Sequence, residues 1–120
     1  FTYIGTLFQD VIIIIFLGDK MPFMNIVKFQ VKPESVADFI IAMNNQPNWE
    51  GNIEMRLVQT GENTFCGCGL WTSKEIMMAS MDGMVAWLDS VRPMLEVISE
   101  ELGVTDPVSG PVVVSKESQF

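Results

Sequence analysis

Hydrophobic and other residues alternate along three stretches of the chain, as they do in strands with one face buried. These stretches are residues 23–31 (FMNIVKFQV), 53–60 (IEMRLVQT) and 64–71 (TFCGCGLW). Residues 61–63 are polar or glycine and short enough for a hairpin loop. The sequence therefore predicts three strands, of which the second and third form a hairpin.

The first strand is followed by a stretch with helical spacing. Pro33 suits the first turn of a helix, where its missing N–H is not needed. The apolar residues recur at three and four and so share one stripe: Val36, Phe39, Ile40 and Met43. Residues 44–48 (NNQPN) end this helix, and a turn-rich connection containing Trp49 leads to the second strand.

A longer helical stretch follows the third strand. Thr72 and Glu75, three residues apart, fit a capping box at its start. Its apolar stripe extends to Leu102 and comprises Met84, Trp87, Leu88, Val91, Leu95, Ile98 and Leu102. The pattern predicts one long helix.

Several residues interrupt or end this helix. Residues 82–83 (DG) are interpreted as a break, Pro93 as a kink or restart, and Gly103 as the residue after its end. Residues 106–111 (DPVSGP) are typical of turns, and residues 112–115 predict a short fourth strand. The element order is βαββαβ, which predicts an α+β, ferredoxin-like domain with an antiparallel sheet.

The domain is expected to span residues 21–116. Residues 1–20 are interpreted as an N-terminal extension, either native to the domain or not, and in the second case Met21 or Met24 is the natural start. The apolar run at 11–17 is too short to span a bilayer, and the features of a signal peptide are missing.

Composition narrows the classes of function. The chain has 120 residues and a net charge of −8 and contains no basic run, so nucleic acid and anionic membranes are not expected partners. It contains no histidine, which removes the commonest general base and metal ligand. Hydrophobic residues make up 48% and charged residues 18%, so we expect apolar surface to be covered by a partner or a ligand.

The two cysteines, Cys66 and Cys68, lie two apart in the third strand. A zinc site needs about four ligands, and only a second subunit could supply the missing thiols. Small buried hydrophobic side chains are the preferred interpretation, and reduced thiols indicate a cytoplasmic protein. No metal site is predicted.

Two segments resemble the antibiotic biosynthesis monooxygenase-like domains of the dimeric α+β barrel superfamily. The first strand leads into residues 32–34 (KPE), and residues 69–75 (GLWTSKE) open the second helix. The resemblance covers about residues 21–116. It implies a homodimer in which two sheets pack face to face, with a ligand cleft between sheet and helices in each subunit. Phe29 and Trp71 would face the cleft, and the opposite faces of the strands would line the barrel.

The resemblance also limits the chemistry. Haem-degrading relatives use an Asn on the first strand, a Trp at the end of the third and a His in the second helix. Only Trp71 matches, because Val27 stands at the Asn position and the chain has no His. Haem degradation of that type is therefore excluded.

Other relatives oxygenate phenolic substrates without a cofactor, and the resemblance implies that this chain does the same. Trp71 and Asn25 are the predicted catalytic residues, and the substrate is a small apolar organic molecule. The predicted ligand-binding residues are Phe29, Phe39, Met43, Arg56, Met84 and Trp87. No cofactor is expected. A dimeric binding or stress-associated module without catalysis is the alternative, and a subunit that binds another protein is a third.

Each candidate also has a purely structural interpretation. Trp71 and Trp87 could simply fill the core, and Trp49 could cover either the cleft or the first helix. Arg56 could pair with Glu54 instead of anchoring an anion. Gly67 and Gly69 could leave room for a ligand or for a closely packed helix. Asp82 is a conceivable general base only if the cleft wall buries it.

Overall fold

The computed structural model describes residues 21–116, so the predictions for residues 1–20 lie outside the described residues. The described elements are β1 (Phe23–Gln30), α1 (Val36–Asn44), β2 (Asn52–Gln59), β3 (Thr64–Trp71), α2 (Lys74–Ala79), α3 (Met81–Val91) and β4 (Thr105–Pro111). Single 3-10 turns, Pro33–Ser35 and Arg92–Met94, precede α1 and follow α3. The predicted α+β, ferredoxin-like class is confirmed.

The four strands form one sheet in the order β2-β3-β1-β4, and each neighbouring pair is antiparallel. The hairpin predicted between β2 and β3 is present. The connection through α1 carries the chain from β1 to β2 and leaves the place beside β1 for β3. In the central pair, Phe23 lies opposite Trp71, Asn25 opposite Gly69, and Phe29 opposite Phe65.

The alternation predicted for β1 and β3 is confirmed. Phe23, Phe29, Phe65 and Trp71 are buried on the face that packs against the helices. The residues on the opposite face of these two strands are half-buried, apart from the exposed Lys28: Met24, Ile26, Cys66, Cys68 and Leu70. This second face, which we call the outer face, carries apolar side chains that no described helix covers.

The alternation predicted for β2 fails at its start. Ile53 was expected to share a face with Met55 and Leu57, which do pack on the core. Ile53 is instead 56% exposed, because the pairing of β2 with β3 shifts between Asn52 and Glu54. Such a bulge places one extra residue in the strand and changes the face on which it lies.

Two separate clusters form the core. The larger one joins β1, α1 and β3 and consists of Phe29, Val31, Phe39, Met43, Phe65 and Leu95. The smaller one lies at the other end of β1 and β3 and consists of Phe23, Trp71 and Met77, with Trp49 and Met84 packed against it. Between the two clusters the inner face of the sheet carries Asn25, Val27, Gly67 and Gly69.

The position predicted for the fourth strand is wrong. Residues 105–111 form β4, although Pro107 and Pro111 made the segment look like a turn. β4 is an edge strand paired only with β1, and an edge strand tolerates proline when its nitrogen faces away from the neighbour. Residues 112–115 are not a strand, although the Val112 amide still donates a hydrogen bond to the carbonyl of Pro22 at 2.8 Å.

The predicted start of the second helical region is one residue too early. Ser73, not Thr72, is the N-cap, since its Oγ accepts a hydrogen bond from the Ile76 amide at 3.2 Å. The break is also misplaced: the chain turns at Ser80, between α2 and α3, while Gly83 lies inside α3.

The helix ends well before Leu102. Pro93 begins the change, as predicted, because it lies in the 3-10 turn after α3. Leu95 then forms a β-bridge with Val31 instead of continuing the helix. Gly103 has a positive φ of 74°, as expected, but in a turn in which its amide donates to the carbonyl of Ser99. No helix in the described part of the chain is long and apolar enough to cross a bilayer.

Candidate functional site

A cavity of about 460 Å³ lies between the inner face of the sheet and the helices, at the gap between the two core clusters. Phe29 and Met43 form its wall on the side of the larger cluster, and Trp71 and Met77 form the wall on the other side. Its floor is the middle of β3, where Gly67 and Gly69 carry no side chain. The cavity exists because the centre of the inner face lacks large residues.

Six of the eight predicted site residues line this cavity. They are Asn25, Phe29, Met43, Trp71, Met84 and Trp87. The helical residues among them come from the C-terminal half of α1 and from α3. The apolar stripes read from the sequence therefore face the cavity as well as the core.

The placements of Phe39 and Arg56 in the cleft are wrong. Phe39 is 0% exposed and lies within the larger cluster instead of lining the cavity, with its ring centroid 5.3 Å from that of Phe29 and 5.4 Å from that of Phe65. Arg56 belongs to the outer face and is well exposed, and its Nε lies 3.2 Å from Oε1 of Glu54. The interpretation of Arg56 as one half of an exposed strand pair therefore fits the geometry.

The two predicted catalytic residues contact one another. Asn25 and Trp71 are diagonal neighbours on the inner face, and Trp71 Nε1 donates a hydrogen bond to Asn25 Oδ1 at 2.8 Å. An indole N–H can only donate, so it fixes the carbonyl end of the amide towards the ring. The amide N–H2 group of Asn25 is then free to donate elsewhere, and no residue within 21–116 accepts a hydrogen bond from it.

Sequence reasoning left the role of Trp49 open, and the structure places it in the cavity wall. Its Nε1 donates to Oε1 of Gln46 at 3.2 Å, which holds the ring in place. A Cβ at Gly83 would lie 2.9 Å from Trp49 Cζ3, so the glycine in α3 makes room for the ring. A glycine inside an amphipathic helix, together with a lone tryptophan in a polar loop, is the signal that could have revealed this contact.

The described lining of the cavity is electrically neutral. No lysine, arginine, aspartate or glutamate among residues 21–116 lines it. Asp82 is exposed outside it, so the idea of a buried aspartate base is wrong. Cys68 borders the cavity, but alternation turns its side chain to the outer face beside Cys66. Burial raises the pKa of the Cys68 thiol above its ordinary value, and Cys66 adds to the shift, so the thiol is protonated at neutral pH.

Known structures share this architecture. A protein of unknown function from Nitrosomonas europaea superposes with a TM-score of 0.65 at 13% identity, over 86% of this chain and 100% of that one. A candidate antibiotic biosynthesis monooxygenase from Chloroflexus aurantiacus gives a TM-score of 0.64 at 14% identity, over 80% and 97% of the two chains. SnoaB, a cofactor-independent oxygenase from Streptomyces nogalater, gives 0.59 at 11% identity, over 78% and 95%.

The chain has the antibiotic biosynthesis monooxygenase-like fold. No protein-family model and no curated protein matches its sequence. At these identities the likeness concerns the fold, and the activity has to be argued from the residues of the cavity.

In this antibiotic biosynthesis monooxygenase-like fold, Gly69 makes the contact between Asn25 and Trp71 possible. A Cβ at Gly69 would lie 2.5 Å from Asn25 Oδ1 and 3.1 Å from Trp71 Nε1. The carboxamide can rotate away, so an added methyl group would break the hydrogen bond without unfolding the sheet.

We expect Gly69→Ala to weaken binding of a hydroxylated aromatic such as 1-naphthol by about tenfold, the equivalent of one net hydrogen bond. Isothermal titration measures the affinity, and thermal unfolding checks the fold. Gly110→Ala is the matched control, because a Cβ on that strand glycine meets nothing within 4 Å. Equal affinities for the two variants would show that the pair does not shape the site.

Proposed function

We propose that this chain is a cofactor-independent oxygenase that binds a small hydroxylated aromatic molecule in the apolar cavity. The observation that carries the proposal is the hydrogen-bonded pair of Asn25 and Trp71 in the cavity wall. The pair leaves the Asn25 N–H2 group as an unpaired hydrogen-bond donor in a lining that is mostly apolar. Such a donor can hold the oxygen of a phenol and stabilise the negative charge of its anion.

The cavity suits a planar aromatic body. Its volume of about 460 Å³ is in the range of sites for small molecules, and most of its lining is apolar. Five of the lining residues are methionines, whose flexible, polarizable side chains adapt to flat rings: Met43, Met55, Met77, Met81 and Met84. A charged ligand would find no partner of opposite sign among the lining residues.

The reaction balances without an added reductant. The phenol loses its O–H proton, and the ring carbon ortho or para to the oxygen of the resulting anion forms a C–O bond to O2. The peroxide anion takes up a proton and becomes a hydroperoxide on a ring carbon that still carries its hydrogen. When the O–O bond breaks, that hydrogen leaves as a proton and joins the departing hydroxide as water, so that the ring C–H becomes a carbonyl and the phenol becomes a quinone. The substrate is oxidised, O2 supplies one oxygen atom to it, and the other oxygen leaves as water. The chain orients the substrate and stabilises its anion.

The first proton has no protein acceptor in the cavity among residues 21–116, because no ionisable side chain points into it. The rate should therefore follow the ionisation of the substrate itself. We expect the rate to rise with pH through the phenol pKa of whichever substrate is used.

An oxygen electrode tests this proposal with a panel of hydroxylated aromatics. We expect oxygen uptake with at least one member of the panel. For two active substrates, the pH dependence of the rate should differ by the difference between their phenol pKa values. Trp71→Phe, which frees the amide of Asn25 from its hydrogen bond, should lower the rate about tenfold. Met78→Ala, a change in a half-exposed side chain outside the cavity, is the control. No uptake with any compound would contradict the proposal.

We also propose that two copies pair through the outer face. The apolar side chains there support the pairing, since Val58 is 48% and Val108 is 59% exposed in the single chain. Pairing would cover the face that the helices leave open, as in the dimeric barrels that the sequence resembles. Sedimentation equilibrium gives the mass, and a stable monomer would contradict the pairing.

Binding without catalysis is the second candidate. It is favoured by the neutral lining of the cavity, which offers no general base among the described residues. In that case a hydroxylated aromatic would bind with measurable heat and no oxygen would be consumed. The titration and the oxygen electrode together separate the two functions.

A further inference from the structure

A second cavity, of about 390 Å³, lies beside the apolar one. It is bounded by the C-terminal end of α1, the loop at 45–51 and the inner face of β2. The two cavities share a wall made of Met43, Gln46, Trp49, Asn52 and Met55. A ligand that fills the apolar cavity and extends past Trp49 would therefore enter the second cavity.

The polar side chains of the second cavity are all carboxamides. They are Asn44, Gln46, Asn48, Asn52 and Gln59, and we call this space the carboxamide cavity. Within the part of the chain that the structure describes, no charged side chain lines it, although the full sequence carries 15 acidic and 7 basic residues. A surface selected only for contact with water would be expected to include some of these charges.

Part of the hydrogen-bonding capacity of these carboxamides is already used. Asn52 Nδ2 donates to the carbonyls of Leu70 and Glu54, at 3.0 and 3.2 Å. Gln46 Oε1 accepts from Trp49. These bonds hold Asn52 and Gln46 in place, which prepares them for a ligand.

The remaining capacity includes both donors and acceptors. Oδ1 of Asn52 and Nε2 of Gln46 have no protein partner within residues 21–116, and neither do the side chains of Asn44 and Asn48. A carboxamide can donate two hydrogen bonds and accept two, and a hydroxyl group can do both as well. The cavity therefore matches a group that is neutral and rich in hydroxyls better than it matches an ion.

We propose that the carboxamide cavity binds a sugar-like, neutral, hydroxylated substituent of the aromatic ligand, so that the preferred ligand is a glycoside or a comparable conjugate. This inference rests on the proposed function of the apolar cavity, which takes the aromatic part. The indole of Trp49, in the shared wall, offers an apolar surface to the C–H face of the sugar ring.

Isothermal titration with 1-naphthol and with 5-hydroxy-1-naphthyl β-D-glucopyranoside, a glucoside that keeps one free phenol for Asn25, tests the inference. In the parent chain the glucoside should bind about tenfold more tightly than the naphthol, since each net hydrogen bond contributes a fewfold to affinity. In the double variant Asn44→Ala/Asn48→Ala this preference should fall to about twofold or less, while the affinity for 1-naphthol stays unchanged.

Asn45→Ala is the matched control. Asn45 lies next to Asn44, is exposed, and lines neither cavity, so the variant should keep the full preference for the glucoside. If the parent binds 1-naphthol but does not prefer the glucoside, the inference is overturned and the proposed function stands. If the preference survives in the double variant, the carboxamides are not its cause. If neither compound binds, the inference and the proposed function are overturned together.

Discussion

Replacing Asn25 with aspartate is expected to lower the oxygenation rate by about 100-fold, the cost of losing a donor to a developing oxyanion. The two side chains have nearly the same shape, and a carboxylate can still accept the hydrogen bond from Trp71 Nε1. What changes is the other end of the group, which no longer donates. Its negative charge also repels a phenolate in a cavity where no lysine or arginine of the described residues offsets it.

Rates from the oxygen electrode and affinities for the neutral phenol separate the possible causes. We expect kcat to fall much more than the affinity for the protonated phenol, because the anion is the species that Asn25 stabilises. Asn45→Asp introduces the same charge on the exposed loop and should leave both values within about twofold, as is usual for surface substitutions. A rate in Asn25→Asp close to that of the parent would exclude Asn25 as an anion-stabilising donor.

Phe39→Ala is expected to lower the free energy of unfolding by about 3–5 kcal/mol. The side chain is 0% exposed and is held between two other aromatic rings of the larger cluster. Alanine would leave a void inside the larger cluster, which Phe29 and Phe65 could fill only by leaving their present rotamers. Denaturant unfolding monitored by circular dichroism measures the change.

Ile41→Ala is the control on the same helix. Ile41 is 58% exposed and belongs to neither cluster, so its truncation should cost about 0.5 kcal/mol or less. If the two variants lose similar amounts of stability, α1 does not anchor the domain through Phe39. In that case the assignment of the larger cluster as the main core would be wrong.

The sequence alone predicted those parts of the fold that depend on local periodicity. Alternation in β1 and β3 assigned each residue to the correct face, because a strand reverses its side chains at every residue. β4 was missed because its prolines and glycine are the residues of turns, and only its position at the sheet edge makes them acceptable. Edge position is a property of the completed sheet.

The helix predicted to extend to Leu102 shows a different limit. Leu95 and Ile98 continue the spacing of α3, so the pattern cannot reveal that the chain has left the helix. The deciding interactions are remote: Leu95 bridges to Val31, and Glu96 donates its amide to the carbonyl of Gln30 at 2.7 Å. Contacts between residues so far apart in sequence are not encoded in a local period.

The candidate site was predictable where a residue of suitable type lay on the inner face of a predicted strand or on the apolar stripe of a predicted helix. Trp71 was predicted from the resemblance and Asn25 from its residue type, and strand alternation assigns both to the inner face, where they line the cavity. Phe39 was misplaced because an apolar stripe does not distinguish the residues inside a core cluster from those that line a cavity. The ring of Trp49 packs against α3 at Gly83, where there is no side chain in its way. In the sequence, Gly83 indicates only a weak helix former, so this contact was not predicted.

The division of the core into two clusters has a consequence for how the empty protein moves. α3 joins the two clusters across the cavity, since Met84 packs on the smaller cluster and Trp87 and Leu88 pack on the larger one. Because the middle of this contact is a cavity and not a filled core, we expect α2 and α3 to separate from the sheet at lower cost than global unfolding, which provides a path for a ligand to enter. A bound ligand would fill the cavity between the two clusters and would bind only the folded protein. The melting temperature should therefore rise with ligand concentration.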